Sequence, residues 1–587
     1  MTYNLKIKHT DGDKRVKPFA ALKKFLLILA DEKKSLIIAL ITILIHSVLS
    51  LLGPLLIGRT IDTYVQSKQF HGVLVFTGIL FAMYLVSMVT SYLQTKLMGG
   101  VGQRVLFKLR NSIFLKLQEL PVAFFNENKA GDLISRINND TDKLNQFFSQ
   151  YLMQFIGSIF IMTGAAIFLL TINLPLGAAA LAPAVVLIVF SRVVTPWVRR
   201  LNADYLATTG NLSAEIQESI SNFKVVVAFN RRDYFRKRFS EVNDLNFKSA
   251  MKSGLANNIF VPVYGFFSNI GQLVILAFGI YLISSGKFTI GLLISFLSYI
   301  NNFYNPLRQL AALWSNFQIA MAGWDRISVI LNMETDLKIS DQQVAPCNEA
   351  VISFRNVSFG YESGKEVLHK VNFELERGRT YAFVGPTGGG KTTTASLISR
   401  LYDPARGYVF IDGKDLRSYS PEERARKIGF ILQEPFLFTG TIKDNIIYGN
   451  SRLEHSSSEE ISTILQEAGL ISLLQRFDNG LETLVMNGGE SISLGQKQLI
   501  AFIRAVLREP EVLILDEATA NIDTITEQQL ESILEKLPSS TMRIIIAHRL
   551  NTIENADEIF FINGTRIVRA GSMENAVQLL MHDKNDS

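Results

Sequence analysis

Tyr381-Ala382-Phe383-Val384-Gly385-Pro386-Thr387-Gly388-Gly389-Gly390-Lys391-Thr392-Thr393-Thr394 runs from an apolar tetrad through a glycine-rich turn into residues that open a helix. Three glycines alone would be read as a structural turn. The full spacing G-x-x-x-x-G-K-[ST], in the order strand, loop, helix, is that of a phosphate-binding loop. Glycines let backbone N–H groups wrap phosphate oxygens, Lys391 neutralises the β and γ oxygens, and the Thr392 hydroxyl suits Mg2+. The start of the helix adds the positive end of its dipole. Gly385, Pro386, Thr387, Gly388, Gly389, Gly390, Lys391, Thr392 and Thr393 are therefore the candidate cradle of a nucleoside triphosphate in an α/β domain.

Further along the chain, Val512-Leu513-Ile514-Leu515 is a wholly apolar strand that delivers Asp516 and Glu517 at its end. A metal carboxylate and a water-activating base belong there. Paired acids after a strand also read as a helix cap, but the phosphate loop upstream favours Asp516 as an organiser of Mg2+ and Glu517 as the base. His548 ends another apolar strand, Ile544-Ile545-Ile546-Ala547, where it is either a donor to the γ-phosphate or a core histidine.

The preceding half of the chain has a different composition. The 587 residues exceed one ordinary core, so at least two domains are expected. Hydrophobic residues make up 48% and charged residues 19%, and most of the apolar excess lies before Met333. Leu36 to Leu56, LIIALITILIHSVLSLLGPLL, holds one histidine and no formal charge over the length needed to cross a bilayer. Comparable runs follow at Val73 to Leu93, Phe155 to Ile172, Leu176 to Phe190, Ile259 to Ile283 and Ile290 to Tyr304, six in all. The shorter ones also fit helices buried in a soluble core.

Arg104, Lys108, Arg110, Lys116, Arg136 and Lys143 gather between the second and third runs, whereas the short loops carry Lys68 and Lys287. Basic residues favour the cytoplasmic side, which places the long connections and both termini there, with the spans continuing as helices beyond the bilayer. Phe19, Leu22, Phe25, Leu26 and Leu29 recur at helical spacing, as in an amphipathic elbow helix over 18–30 lying on the inner membrane surface.

The net charge of +6 fits this loop asymmetry better than nucleic-acid binding, since basic and aromatic residues are not interleaved as in RNA binders. The one cysteine, Cys347, allows neither an internal disulfide nor a thiolate metal site. A transmembrane domain over 1–333, a polar linker over 334–349 and a nucleotide-binding domain over 350–587 are expected.

Taken with further motifs, the chain resembles the ATP-binding cassette family over essentially its whole length, as a type I exporter half-transporter. Tyr361 stands where the family stacks an aromatic ring on adenine. Gln433, in FILQEPFLF, matches the glutamine that links Mg2+ to the membrane domain. Asp523, in Ala520-Asn521-Ile522-Asp523, matches a loop crossing to the other subunit, and segments near 120–140 and 215–232 resemble the cytoplasmic coupling segments. The family's LSGGQ signature is present as Ile492-Ser493-Leu494-Gly495-Gln496, with leucine for the first glycine, and Asn487 stands where glutamate is usual.

The resemblance implies a six-helix transmembrane domain with long cytoplasmic helical extensions, fused to an α/β P-loop nucleotide-binding domain. It implies an ATPase that uses ATP and Mg2+ for transport across the cell membrane, as a multi-pass protein in contact with membrane lipid. Catalytic roles fall to Glu517, His548 and Gln433, metal contacts to Thr392, Gln433 and Asp516, and nucleotide contacts to Tyr361, the phosphate loop, Ser493, Gly495, Gln496 and Asp523. Two cassettes of this family share each ATP between one phosphate loop and the other subunit's signature. The altered signature implies a homologous partner half-transporter whose own signature is intact, giving one competent and one degenerate site.

The six runs contain no acidic residue, which favours a drug or another amphipathic, lipid-like cargo over a proton or metal ion. A peptide exporter, a homodimeric exporter, an ATP-gated channel on the same fold and a soluble P-loop machine are the competing readings. The six apolar runs count against the last.

Overall fold

In the computed structural model the described residues are 5, 30–334, 339, 351–361, 365–486, 488–489, 492–516, 524–546, 556–564, 566–571, 574–576 and 578–579. The chain forms two compact units, one of Gly12–Gln118 and Gly131–Asn332, the other of Met1–Asp11, Glu119–Ala130 and Met333–Ser587. The short stretch Glu119–Ala130, though flanked by membrane-unit sequence, belongs with the C-terminal unit. The elbow segment up to residue 29 and most of the linker lie outside the described residues.

The membrane unit is helical. Among the described residues five helices are long and apolar enough to cross a membrane: α1 (Lys33–Val65), α2 (Phe70–Glu119), α4 (Ala130–Ile172), α5 (Leu174–Ser221) and α7 (Arg232–Ser284). Two short helices, α3 (Val122–Glu127) and α6 (Phe223–Ala228), interrupt the long connections. A further long helix, α8 (Ile290–Leu331), carries the sixth apolar run. Asn173 caps α5 by accepting the Leu176 N–H at 3.0 Å, with Pro175 in the first turn where a missing N–H costs nothing.

Pro54 sits inside α1 and has no N–H, so the Ser50 carbonyl loses its usual helical partner. Side chains of α8 answer along this stretch. Asn302 Nδ2 donates to Ser50 O at 3.5 Å, and the hydroxyls of Tyr299 and Ser295 donate to Leu51 O and Pro54 O, both at 2.7 Å. Where water is scarce, such bonds join helices that the hydrophobic effect alone would not.

Further along the same pair, Asp62 accepts the Thr289 hydroxyl at 2.5 Å and the Gly291 N–H at 2.8 Å, placing a carboxylate at the start of α8. Asp62→Ala is expected to destabilise the detergent-solubilised protein by about 1–2 kcal/mol, the range for a lost helix cap. An unchanged melting temperature would show that this tie contributes nothing.

The opposite end of the membrane unit is held by charge. Arg136, 3% exposed, donates to Asp132 and to the Arg326 carbonyl, while Arg326 reaches Asp132 and the buried Asp140. Several aromatic residues of these helices are packed inside the unit. Phe147, Phe148, Phe296, Tyr299 and Tyr304 are buried, and Tyr299 stacks on Phe168.

Among the described residues the C-terminal unit has two large sheets and a two-stranded ribbon of β7 (Gly440–Thr441) and β8 (Leu484–Val485). An antiparallel sheet has the order β2-β1-β4-β5, from Leu368–Leu375, Ile352–Phe359, Arg406–Ile411 and Lys414–Asp415. A six-stranded sheet has the order β12-β11-β3-β10-β9-β6. There β3 (Thr380–Val384), β6 (Ile428–Ile431), β9 (Val512–Asp516), β10 (Met542–Ile546) and β11 (Glu558–Asn563) run parallel, and β12 (Arg566–Arg569) closes the edge antiparallel. Every residue of β3 and β9 is buried, as expected of parallel strands covered on both faces. Because these strands run parallel, their C-terminal ends lie along one edge, where α/β sheets hold ligands.

Candidate nucleotide site

β3 ends at Val384, and the chain turns through Gly385 to Gly390 into helix α9 (Lys391–Ile398). Two glycines are dictated by backbone geometry. Gly385 lies so near β11 that a Cβ would stand 2.0 Å from the Ile562 carbonyl oxygen. Gly390 caps α9 with φ of 100°, a left-handed conformation that a side chain would strain.

Lys391 is 6% exposed, and its Nζ donates to the carbonyls of Gly385 at 2.9 Å and Pro386 at 3.0 Å. The ammonium group is thus held across the turn by the loop's own oxygens. Thr387 and Gly388 are exposed on the same loop, and Thr392 is exposed in the first turn of α9. Thr392 Oγ1 lies 3.4 Å from Asp516 Oδ1, and Asp516 is 2% exposed at the end of β9. A hydroxyl and a buried carboxylate at one point form an all-oxygen donor pair suited to Mg2+, which commonly takes one or two protein oxygens and fills its octahedron with phosphate and water.

Thr393, buried in the first turn of α9, shares a 3.0 Å hydrogen bond with the Tyr361 hydroxyl. The Tyr361 ring is 48% exposed and is braced edge-on by Phe359 and Tyr402, with centroids at 5.1 and 5.2 Å. Gln433 is exposed just beyond β6, the strand paired with β9, and so leaves the sheet at the same edge as Asp516.

The structure gathers Tyr361, the phosphate loop, Thr392, Thr393 and Asp516 at this edge, but it places Ser493, Gly495 and Gln496 elsewhere in the unit's hydrogen bonding. Ser493 caps helix α10 (Leu494–Val506), accepting the Gln496 N–H at 3.2 Å while its own N–H donates to Gln496 Oε1 at 3.0 Å. Gln496 Nε2 donates to the Arg476 carbonyl at 3.0 Å. Among the described residues these groups bond to one another and to Arg476, not to the phosphate loop. Leu494 is 41% exposed in the first turn. Glu517, Asp523, His548 and Asn487 lie outside the described residues.

Sequence reading missed two features here. The S-x-x-Q spacing of Ser493 and Gln496 is itself a capping-box signature and was legible as one. Tyr402, which supports Tyr361 from a loop, carries no local signal.

The chain matches the family models for the ABC transporter transmembrane region over residues 36–307 and for the ABC transporter over 368–520. It is similar to the uncharacterized ABC transporter ATP-binding protein YfiC of Bacillus subtilis, 33% identical over 551 residues, covering 94% of this chain and 91% of the relative. It is 32% identical to the ATP-dependent lipid A-core flippase of Syntrophus aciditrophicus, covering 84% and 81% of the two chains. It is 30% identical to the multidrug resistance ABC transporter ATP-binding and permease protein of Lactococcus lactis, covering 84% and 83%. Among solved structures, a bacterial Atm1-family ABC exporter with ATP bound superposes with a TM-score of 0.77 at 25% identity, covering 94% of this chain and 96% of that one. With a phosphate loop at the edge of a parallel sheet, a fused bundle of membrane-length helices and relatives matched over nearly the whole chain, this protein belongs to the ATP-binding cassette transporter family, as an exporter whose hydrolysis of ATP drives transport.

Proposed function

We propose that this chain is one half of a heterodimeric exporter of drugs or other amphipathic, lipid-like molecules, with one competent and one degenerate ATP site. Leu494 carries the reading. It stands in the first turn of α10 where the family has glycine, and its exposed side chain lies beside the N–H groups that would approach a γ-phosphate. Ser493, already engaged in its capping box, has less freedom to turn toward a phosphate. A partner with an unaltered signature would complete the site built on this chain's phosphate loop and Glu517.

A second subunit also accounts for α6. Around this short helix Phe223, Val225, Val227 and Phe229 are 58%, 54%, 40% and 74% exposed, an apolar patch of the kind that marks a protein contact. In the full assembly α8 is the sixth span, and both termini and the nucleotide-binding unit are cytoplasmic, as the basic long connections favour.

At the competent site, Lys391 and the loop N–H groups hold the phosphates, Tyr361 stacks on adenine, and Asp523 contacts the facing subunit. Thr392, Asp516 and Gln433 hold Mg2+. When bound, the metal supplies charge neutralisation at the β and γ oxygens. Glu517 orients and deprotonates the attacking water, and His548 donates a hydrogen bond to the γ-phosphate.

The multidrug and lipid A-core relatives support an amphipathic cargo, as does the absence of acidic residues from the apolar runs. Uptake into inverted vesicles is expected for hydrophobic drugs or lipid analogues and not for peptides or metal ions.

Leu494→Gly tests the degenerate site. In the complex purified from its native membrane, the change is expected to raise ATP turnover by about three- to tenfold, the scale of one restored hydrogen bond to a charged group. Unchanged turnover would overturn the reading of Leu494, and full cooperative ATPase activity from this chain alone would overturn the heterodimer.

A further inference from the structure

Tyr402 lies between α9 and β4, in Arg400-Leu401-Tyr402-Asp403. Arg400, 3% exposed, donates to Asp403 at 2.9 Å and to the Arg417 carbonyl at 3.2 Å, so charge-assisted bonds clamp the backbone on both sides of the tyrosine. The Tyr402 ring packs at 5.4 Å from Phe359 and edge-on at 5.2 Å from Tyr361. Its hydroxyl accepts a 2.6 Å hydrogen bond from Asn126 Nδ2. Asn126 belongs to α3, the helix within the stretch Glu119–Ala130 that joins the nucleotide-binding unit.

Two further contacts hold the ends of this chain of groups. Asn128, just after α3, donates its amide to the Phe124 carbonyl at 2.7 Å and accepts the Leu5 N–H at 3.1 Å, so the end of α3 is fixed. At the other end, Tyr361 bonds Thr393 in the first turn of the phosphate-loop helix. Burial pushes the Tyr402 hydroxyl above its ordinary pKa, with Tyr361 adding to the effect and the Asn126 bond opposing it. The group is therefore neutral at physiological pH and able to accept from the amide.

We infer that Tyr402 is a positioning residue that links the base-stacking ring Tyr361 to the coupling helix α3 through Asn126, so that α3 registers the nucleotide's base as well as its phosphates. The link rests on Tyr361 serving as the adenine platform, as proposed above. A base stacked on Tyr361 restricts the ring. The edge-on contact restricts Tyr402 in turn, and the 2.6 Å bond passes that order to α3. A ligand with phosphates but no aromatic base would load the loop and leave α3 as it was.

The test is hydrogen exchange over Val122–Glu127 in the full-length protein, purified from membranes with whatever subunit accompanies it. A non-hydrolysable ATP analogue is expected to slow exchange in the parent. In Tyr402→Phe, which keeps the ring, and in Asn126→Ala, the slowing should shrink by about fivefold, the scale of one net hydrogen bond. Affinity for the analogue, read by displacement of a fluorescent nucleotide, should change less than about twofold, because neither group touches the phosphates. The double variant should match the single ones, since both remove the same bond. Magnesium tripolyphosphate, at concentrations that displace the fluorescent nucleotide, should leave exchange unslowed.

Undiminished protection in Tyr402→Phe, additive losses in the double variant, or protection by tripolyphosphate equal to that of the analogue would each overturn the inference while leaving the ATP site intact. Failure of the parent to bind the analogue would instead sink the reading of the ATP site itself.

Discussion

Glu517→Gln is expected to leave ATP affinity nearly unchanged and to slow hydrolysis by about a hundredfold or more, the scale of a lost general base. The change is isosteric and removes only the negative charge proposed to polarise the attacking water. Other groups are assigned to hold ATP: Lys391 across its loop, and the Thr392 and Asp516 oxygens 3.4 Å apart. Single-turnover ATPase assays on the membrane-purified complex, paired with nucleotide displacement, separate the two effects. Hydrolysis that continues at the parental rate would assign the base to another group, and loss of binding would place Glu517 among the binding residues.

Lys391→Ala is expected to abolish ATP binding at working concentrations and transport with it. The ammonium group is almost wholly buried and is held in place by two carbonyls of its own loop, so it is already oriented toward the charge it meets. Removing one partner of a desolvated charge pair costs about 2–5 kcal/mol, which is roughly 30- to several-thousandfold in affinity. Lys391→Arg should fail to rescue, since a planar guanidinium fork does not fit where a compact ammonium spans two carbonyls. The fold should survive both changes, because the strands on either side take their stability from the buried residues of β3 and β9. Melting temperature checks that, and binding within about twofold of parent in Lys391→Ala would refute the assigned role.

Much of this protein was readable from local patterns. An apolar strand, a run of glycines and a lysine within a dozen residues dictate a phosphate loop, because backbone sterics and donor chemistry act over that range. Long uncharged runs dictate membrane helices, because every backbone polar group must be satisfied within the segment. The altered signature at Leu494 was likewise a matter of one residue in a known spacing.

The rest depended on partners far apart in the chain. Nothing local to Asn126 reports that it meets Tyr402, 276 positions away, or that Glu119–Ala130 joins the nucleotide-binding unit rather than the helices on either side of it. Asp62 looks like an ordinary polar residue at the end of an apolar run until folding brings it to the start of α8, 229 positions on at Gly291. The burial of Phe296, Tyr299 and Tyr304 on α8 is not local either, because an amphipathic period says which residues share a face and not what covers it. By itself the sequence determined that ATP chemistry is joined to membrane helices, since both rest on short-range covalent geometry and composition. Only the tertiary structure decided how Tyr361, Tyr402 and α3 meet, since hydrogen bonds and ring contacts between distant segments exist only once the chain has closed on itself.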